Sequence, residues 1–269
     1  MLLPRGLRIF LRIATGATLV FIYLPIALIV LYSFNSARVA SWPIAGLTLD
    51  WYTKALGNAG IRSALLTSLE AAIGATIVSL ILGTLVAFAL QRHQFFGRQS
   101  LSFIVVLPLA LPGIVTGIAL NTALRTLGID FGLATIIVGH ATFCVVVVFN
   151  NVVARLRRLP RTAEEASMDL GADTFATFRR ITFPAIRTAL LAGGLLAFAL
   201  SFDEIIVTNF TAGPSTQTLP IWIFTNYQRP NNLPLVNVAA VFVLLLSIVP
   251  VYIASRLSDD PAGVAGSRG

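Results

Sequence analysis

Long apolar runs separated by short polar stretches dominate the chain. A helix that crosses the hydrocarbon core of a bilayer needs about 20 mostly apolar residues, at about 1.5 Å of rise each. Six runs qualify, at roughly 11–33, 64–90, 101–122, 131–154, 185–207 and 234–255. Pro25, Pro108, Pro112 and Pro250 fall inside three of them. Membrane helices tolerate prolines where neighbours re-satisfy the freed backbone groups. The first run follows Arg5, Arg8 and Arg12, as a signal peptide would, but it is too long and no small-x-small cleavage site follows. A retained helix is the expectation. The organisation predicted is a segment 1–10, a transmembrane body 11–255 with a polar loop 155–184, and a tail 256–269.

Composition agrees. The 269 residues are 57% apolar and 11% charged, against about 45–50% and about 25% in soluble domains. A soluble enzyme, a disordered tail and a secreted disulfide scaffold are excluded. The expected fold is an all-α polytopic membrane protein of six helices. In a soluble protein the net charge of +8 would suggest nucleic acid; here basic residues mark cytoplasmic loops. With the N-terminus inside, only Arg38, Lys54, Arg62, Arg125 and Arg229 fall outside, balanced by Asp50, Glu70, Asp130, Asp203 and Glu204. The whole basic excess is then cytoplasmic, and so are both termini. Cys144 is the single cysteine, which excludes an intrachain disulfide and suits a small packed thiol.

The loop 155–184 is too polar to be a mere connection. Glu164, Glu165 and Asp169 precede Gly171, Arg179, Arg180 and Pro184, with Ala166, Leu170, Phe175 and Phe178 between. Acids suit early helical turns and glycine suits a tight turn, so a helix–turn–helix at the cytoplasmic face is predicted. By composition it is either an amphipathic helix on anionic lipid or a docking knob for a cytoplasmic partner.

Glu165-Ala166-Ser167-x-x-x-Gly171, nine residues, then Ile181-x-Phe183-Pro184 resembles the EAA loop of ATP-binding-cassette importer permeases. Ser167 and Phe183 depart from the family's Ala and Leu. Ser33-Phe34-Asn35 with Trp42, Gly46 to Leu49, Trp51 and Tyr52 is similar to the first external loop of these permeases. Ser201-Phe202-Asp203-Glu204, Phe210 to Pro214 and Thr218-Leu219-Pro220 look like the spermidine/putrescine branch, its second permease subunit in particular.

The resemblance implies a type I (MetI-like) permease fold in a bacterial inner membrane. It also implies two ATPase subunits that bind ATP and Mg, an external substrate-binding protein, and a second, different permease chain. Coupling to the ATPase would run through Glu164, Glu165, Ala166, Gly171, Ala172, Phe175, Ile181 and Pro184. In that set Glu165 is the polar contact, Ala166 the close-packing contact and Gly171 the turn. The residues agree on one point independently: Lys54 is the only lysine, and Thr53 and Ala55 beside it do not form a phosphate-binding loop. The chain itself is therefore expected to bind no cofactor or metal, to be no enzyme, and to meet lipid but no nucleic acid.

Ionisable groups inside a membrane usually face a bundle interior or watery cavity. Glu70, Asp203 and Glu204, with Asn209 shortly after, are candidates for a polyamine route, where carboxylates would attract ammonium groups. The alternatives are a Glu70–Arg62 pair and solvated loop acids. His140 reads either as a proton relay or as a packed neutral side chain. Asn121, Asn150 and Asn151 suit interhelical hydrogen bonds, and Gly113-x-x-x-Gly117 suits close helix packing. Rival functions are an importer for 4-aminobutyrate, an oxyanion, iron or thiamine, and a gradient-driven transporter, which would leave the EAA loop unexplained.

Overall fold

A computed structural model of the chain describes residues 4–39, 42–229 and 232–258. The helices are α1 (Arg5–Ser33), α2 (Asp50–Gly57), α3 (Ala59–Arg92), α4 (Arg98–Ala110), α5 (Gly113–Thr126) and α6 (Leu133–Leu156). Then come α7 (Thr162–Asp169), α8 (Thr174–Thr177), a π-helical turn (Phe178–Thr182), α9 (Phe183–Phe202), α10 (Ile206–Thr211), α11 (Leu219–Tyr227) and α12 (Leu233–Ser258). No strand occurs among the described residues; one isolated antiparallel bridge joins Asn35 and Leu47.

Five helical runs are long and apolar enough to cross a membrane: α1, α3, α6, the run Thr174–Phe202, and α12. The sixth expected span, 101–122, is not one straight helix. It consists of α4 and α5, bent by 110°. Leu111 precedes Pro112 and is extended (φ −85°, ψ 141°), because the proline ring disfavours the helical region for the residue before it. Pro112 also has no N–H to continue the α4 ladder. The start of α4 shares a cleft with Arg157, just past the end of α6. Asn121 of α5 and Thr135 at the start of α6 both bond to α10. The bent pair thus carries the chain from one end of α6 to the other, and functions as a broken span.

Three further boundaries differ from expectation. The fifth span stops at Phe202 rather than at 207, and residues 206–211 form the separate helix α10. The expected loop between spans five and six contains α11 as well. Helix α1 begins inside the expected 1–10 segment, and α12 runs into the expected tail, whose residues 259–269 lie outside the described residues.

The chain divides into two compact units, Met1–Arg62 with Trp222–Leu244, and Ser63–Ile221 with Leu245–Gly269. In the first, the segment after α1 folds back on itself. Thr48 N–H donates to the Phe34 carbonyl (2.7 Å) and Ser36 N–H to that of Gly46 (2.9 Å). Trp51 Nε1–H donates to the Asn35 carbonyl at 2.8 Å, and the Ser33 and Tyr52 hydroxyls lie 2.7 Å apart. The Tyr52 ring packs against Phe34 and Phe242. The external-loop motif is therefore a folded pad. None of the most apolar stretch of α1 is buried within the chain.

The second unit is built around α6. Its core includes Ala87 and Leu90 of α3, Cys144, Val148 and Val152 of α6, Ile186 and Ala197 of α9, and Val207 of α10. Lipid tails supply no hydrophobic drive between helices, so close backbone approach over small residues holds such bundles together. A Cβ on Gly83 would lie 2.9 Å from the Val145 carbonyl oxygen, and one on Gly193 3.3 Å from Val148 Cα. Helices α3 and α9 thus each press on the α6 backbone. Cys144 is buried, with its thiol 3.3 Å from the Ala197 carbonyl.

Candidate functional site: the coupling loop and the α9–α10 corner

The loop 155–184 forms the helix–turn–helix that its sequence predicts. Glu164 and Glu165 stand in the first turn of α7, where unsatisfied N–H groups favour negative charge. The helix closes in a Schellman motif: Gly171 N–H donates to the Met168 carbonyl (2.9 Å) and Ala172 N–H to that of Ser167 (3.1 Å). Gly171 has φ +87°, the left-handed region that residues with a Cβ resist. Asp173 then caps α8, accepting from Ala176 N–H at 2.6 Å. Pro184 lies in the first turn of α9, directly after the π-helical turn that shifts the hydrogen-bond register to Phe183 N–H and the Phe178 carbonyl.

The two adjacent acids differ in burial and in pairing. Glu164 Oε1 accepts from Arg92 Nη2, at the end of α3, and from Thr182 Oγ1, each at 2.9 Å. The pair is mostly buried, with side-chain exposures of 14% and 18%. Glu164 thereby ties α7 to α3 and to the π-helical turn that leads into α9. Arg161 reinforces the link, donating to the Gln91 carbonyl at 2.8 Å. Glu165 and Ala166 are exposed. Beside them Leu170 is 90% and Phe175 71% exposed, while Ala172 is partly covered and Ile181 sits on the exposed side. An open cleft of about 310 Å³ separates α3 from this loop, lined by Phe88, Arg92, Glu164, Glu165, Met168 and Phe178 among others.

The second cluster lies where α9 turns into α10. Asp203 caps α9 and is exposed; Glu204 is half-buried, and Asn209 is exposed one turn on. Glu204 Oε1 accepts from Val207 N–H at 2.9 Å, so this carboxylate caps the first turn of α10. The Thr208 hydroxyl donates to the Glu204 carbonyl at 2.8 Å. His140 of α6 is wholly buried. Its Nδ1 lies 2.7 Å from Ser201 Oγ and its Nε2 2.8 Å from Thr208 Oγ1. Asn121 Nδ2 donates to the Phe210 carbonyl, and Thr135 Oγ1 to that of Thr211 at 2.7 Å. Gly117 of the small-residue pair packs on the Phe210 ring, where a Cβ would meet Cδ2.

The structure therefore brings Asp203, Glu204 and Asn209 into one corner. Glu70 is exposed on α3 and, among the described residues, shares no hydrogen bond or ion pair with that corner; nor does it pair with Arg62. Arg92 and Thr182 were not singled out in the sequence, since nothing local marks a partner 72 positions from Glu164.

The fold belongs to a known class of importer. It is shared with the bacterial alginate ABC transporter solved with an alginate pentasaccharide-bound periplasmic protein (TM-score 0.70, 15% identity, 94% of this chain and 93% of that one). It is also shared with the MetNI methionine ABC transporter (TM-score 0.60, 16% identity, 79% of this chain and 98% of that one). Residues 79–260 match the family described as the binding-protein-dependent transport system inner membrane component, and the chain belongs to it. It is a multi-pass inner-membrane component of a binding-protein-dependent transport system, a transport subunit and not an enzyme. The chain is 36% identical to the putrescine transport system permease protein PotI of Escherichia coli (strain K12), over 88% of this chain and 87% of that protein. It is 35% identical to the spermidine/putrescine transport system permease protein PotC of the same strain, over 89% and 90%.

Proposed function

We propose that this chain is a permease subunit of an ATP-driven importer for polyamines, flexible polycations such as spermidine and putrescine. The carrying observation is 35–36% identity, over nearly nine-tenths of the chain, to permeases named for these substrates. The α9–α10 corner supports it. Asp203 is exposed there beside a fixed Glu204, and carboxylates along a route lower the entry barrier for a cation. Asn209, exposed beside them, adds a neutral polar contact, and Glu70 a second acid along the way.

The complex comprises this chain, a second and different permease, two ATPase subunits that bind ATP and Mg, and an external binding protein. Both termini are cytoplasmic, which puts the basic excess inside. The outward face of the coupling loop meets the ATPase, with Glu165 as its polar contact and Ala166, Ala172, Phe175 and Ile181 as its packing surface. Gly171 turns the loop and Pro184 starts the helix that receives its motion. Closure of the ATPase pair on nucleotide then moves these loops as rigid bodies and switches the permeases between inward- and outward-open states.

The test is ATP hydrolysis by the reconstituted complex with binding protein loaded with spermidine, putrescine, 4-aminobutyrate or sulfate. Stimulation by the polyamines alone supports the reading. Stimulation by another ligand alone retains the importer and discards the polycation route.

A further inference from the structure

We infer that His140 is a positioning residue for the carboxylates of the substrate route, its ring setting the corner from which Asp203 and Glu204 project. The inference rests on the route proposed above. His140 stands on α6, far along the chain from both acids, yet its two ring nitrogens straddle them. Nδ1 meets Ser201, just before the acids, and Nε2 meets Thr208, just after.

A proton count fixes the direction of each bond. The Thr208 hydroxyl has one proton, and it goes to the Glu204 carbonyl. Toward His140 it must therefore accept, so Nε2 carries the ring proton and, in the neutral imidazole, Nδ1 accepts from Ser201. The result is a directed chain, Ser201 to His140 to Thr208 to the Glu204 backbone, with no exposed member among its three side chains. Glu204 Oε1 adds a local cap on Val207 N–H at 2.9 Å, but the His140 bonds are what tie the corner to α6. The corner's own backbone bonds are long, 3.3 Å from Asp203 N–H and 3.4 Å from Glu204 N–H. The far end of α10 has separate ties, to Asn121 and Thr135. The near end, which carries the acids, is tied to α6 through His140. Gly139 brings the ring into range, since its missing Cβ would lie 3.1 Å from Val207 and Thr211 side-chain carbons.

A histidine that only fills space would affect every substrate alike. One that aims two carboxylates affects a trication more than a dication, because attraction scales with ligand charge. The experiment uses the complete complex in proteoliposomes and reads the ratio of spermidine to putrescine uptake per assembled transporter. His140→Leu should lower that ratio about fivefold, and His140→Gln, whose amide still donates to Thr208, should restore most of it. In an Asp203→Asn/Glu204→Gln background, His140→Leu should change the ratio less than about twofold, since both act through one element. Should His140→Leu fail to assemble, Ser201→Ala with Thr208→Val removes the same bonds and leaves the ring in place. An unchanged ratio in these variants, or equal losses in both backgrounds, overturns the inference. If Asp203→Asn/Glu204→Gln alone leaves the ratio intact, the carboxylate route falls and this inference falls with it. A ratio sensitive to the acids but not to His140 overturns only the positioning role.

Discussion

Arg92 and Glu164 stand 72 positions apart in the chain and meet at 2.9 Å, joining the last turn of a membrane-spanning helix to the first turn of the coupling loop. The bond makes that loop continuous with the bundle. A push on α7 reaches α3 through Arg92 and α9 through Thr182, without passing along the chain.

Breaking this latch should therefore uncouple motion more than it unfolds the protein. Arg92→Ala leaves Glu164 mostly buried with one partner, at a cost of about 1.5–3 kcal/mol. We expect a drop of a few degrees in melting temperature in detergent, and less uptake per ATP hydrolysed. A double-mutant cycle with Glu164→Gln should be strongly non-additive in the uptake-to-ATP ratio; independent effects would remove the latch.

Glu165, adjacent but exposed and unpaired among the described residues, should behave in the opposite way. It has no ion-pair partner within the described chain, so Glu165→Ala should change stability by less than about 0.5 kcal/mol. Co-purification of the ATPase subunit should nevertheless weaken. Undiminished ATPase retention would remove Glu165 from the contact.

Gly171 offers a test by backbone geometry alone. At φ +87° a side chain costs about 1–2 kcal/mol, and asparagine tolerates this region best. Uptake should follow the order Gly above Asn above Ala, with Gly171→Asp lowest because it adds a further charge beside Asp169 and Asp173. The membrane bundle should remain folded in each, read by helical circular dichroism. Full transport with Asp at this position would show that the turn is not part of coupling.

At the other corner, charge and capping can be separated. Glu204→Gln keeps an oxygen to accept from Val207 N–H, whereas Glu204→Ala loses it, at about 1 kcal/mol. Asp203→Asn with Glu204→Gln should thus slow polyamine uptake while the protein keeps its melting temperature. Glu204→Ala should lower both. Equal thermal losses in the two cases would mean that the cap is not held by that oxygen.

The helix–turn–helix of residues 155–184 was legible in the sequence because its determinants are local: acids in a first turn, a glycine at the left-handed position, and a proline in the first turn of α9. The spans were legible as apolar runs. Their breaks were less so. The run 101–122 stays apolar on average across Leu111 and Pro112, so it reads as one helix although proline geometry bends it by 110°. Similarly, the apolar Ile205 to Val207 follow Asp203 and Glu204 closely enough to read as one span, while α9 ends at Phe202 and Glu204 caps the separate helix α10. His140 itself was visible in the sequence, but its two partners come from another helix pair.

The bend between α4 and α5 has one more implication. Helix α4 has 13 residues, so at about 1.5 Å each the corner lies about 20 Å from Arg98, less than the about 30 Å thickness of a hydrocarbon core. Carbonyls released by Pro112 at that depth have no acyl-chain partner, and irregular backbone there is stable only against protein or water. The backbone at this corner must therefore face protein or water rather than acyl chains.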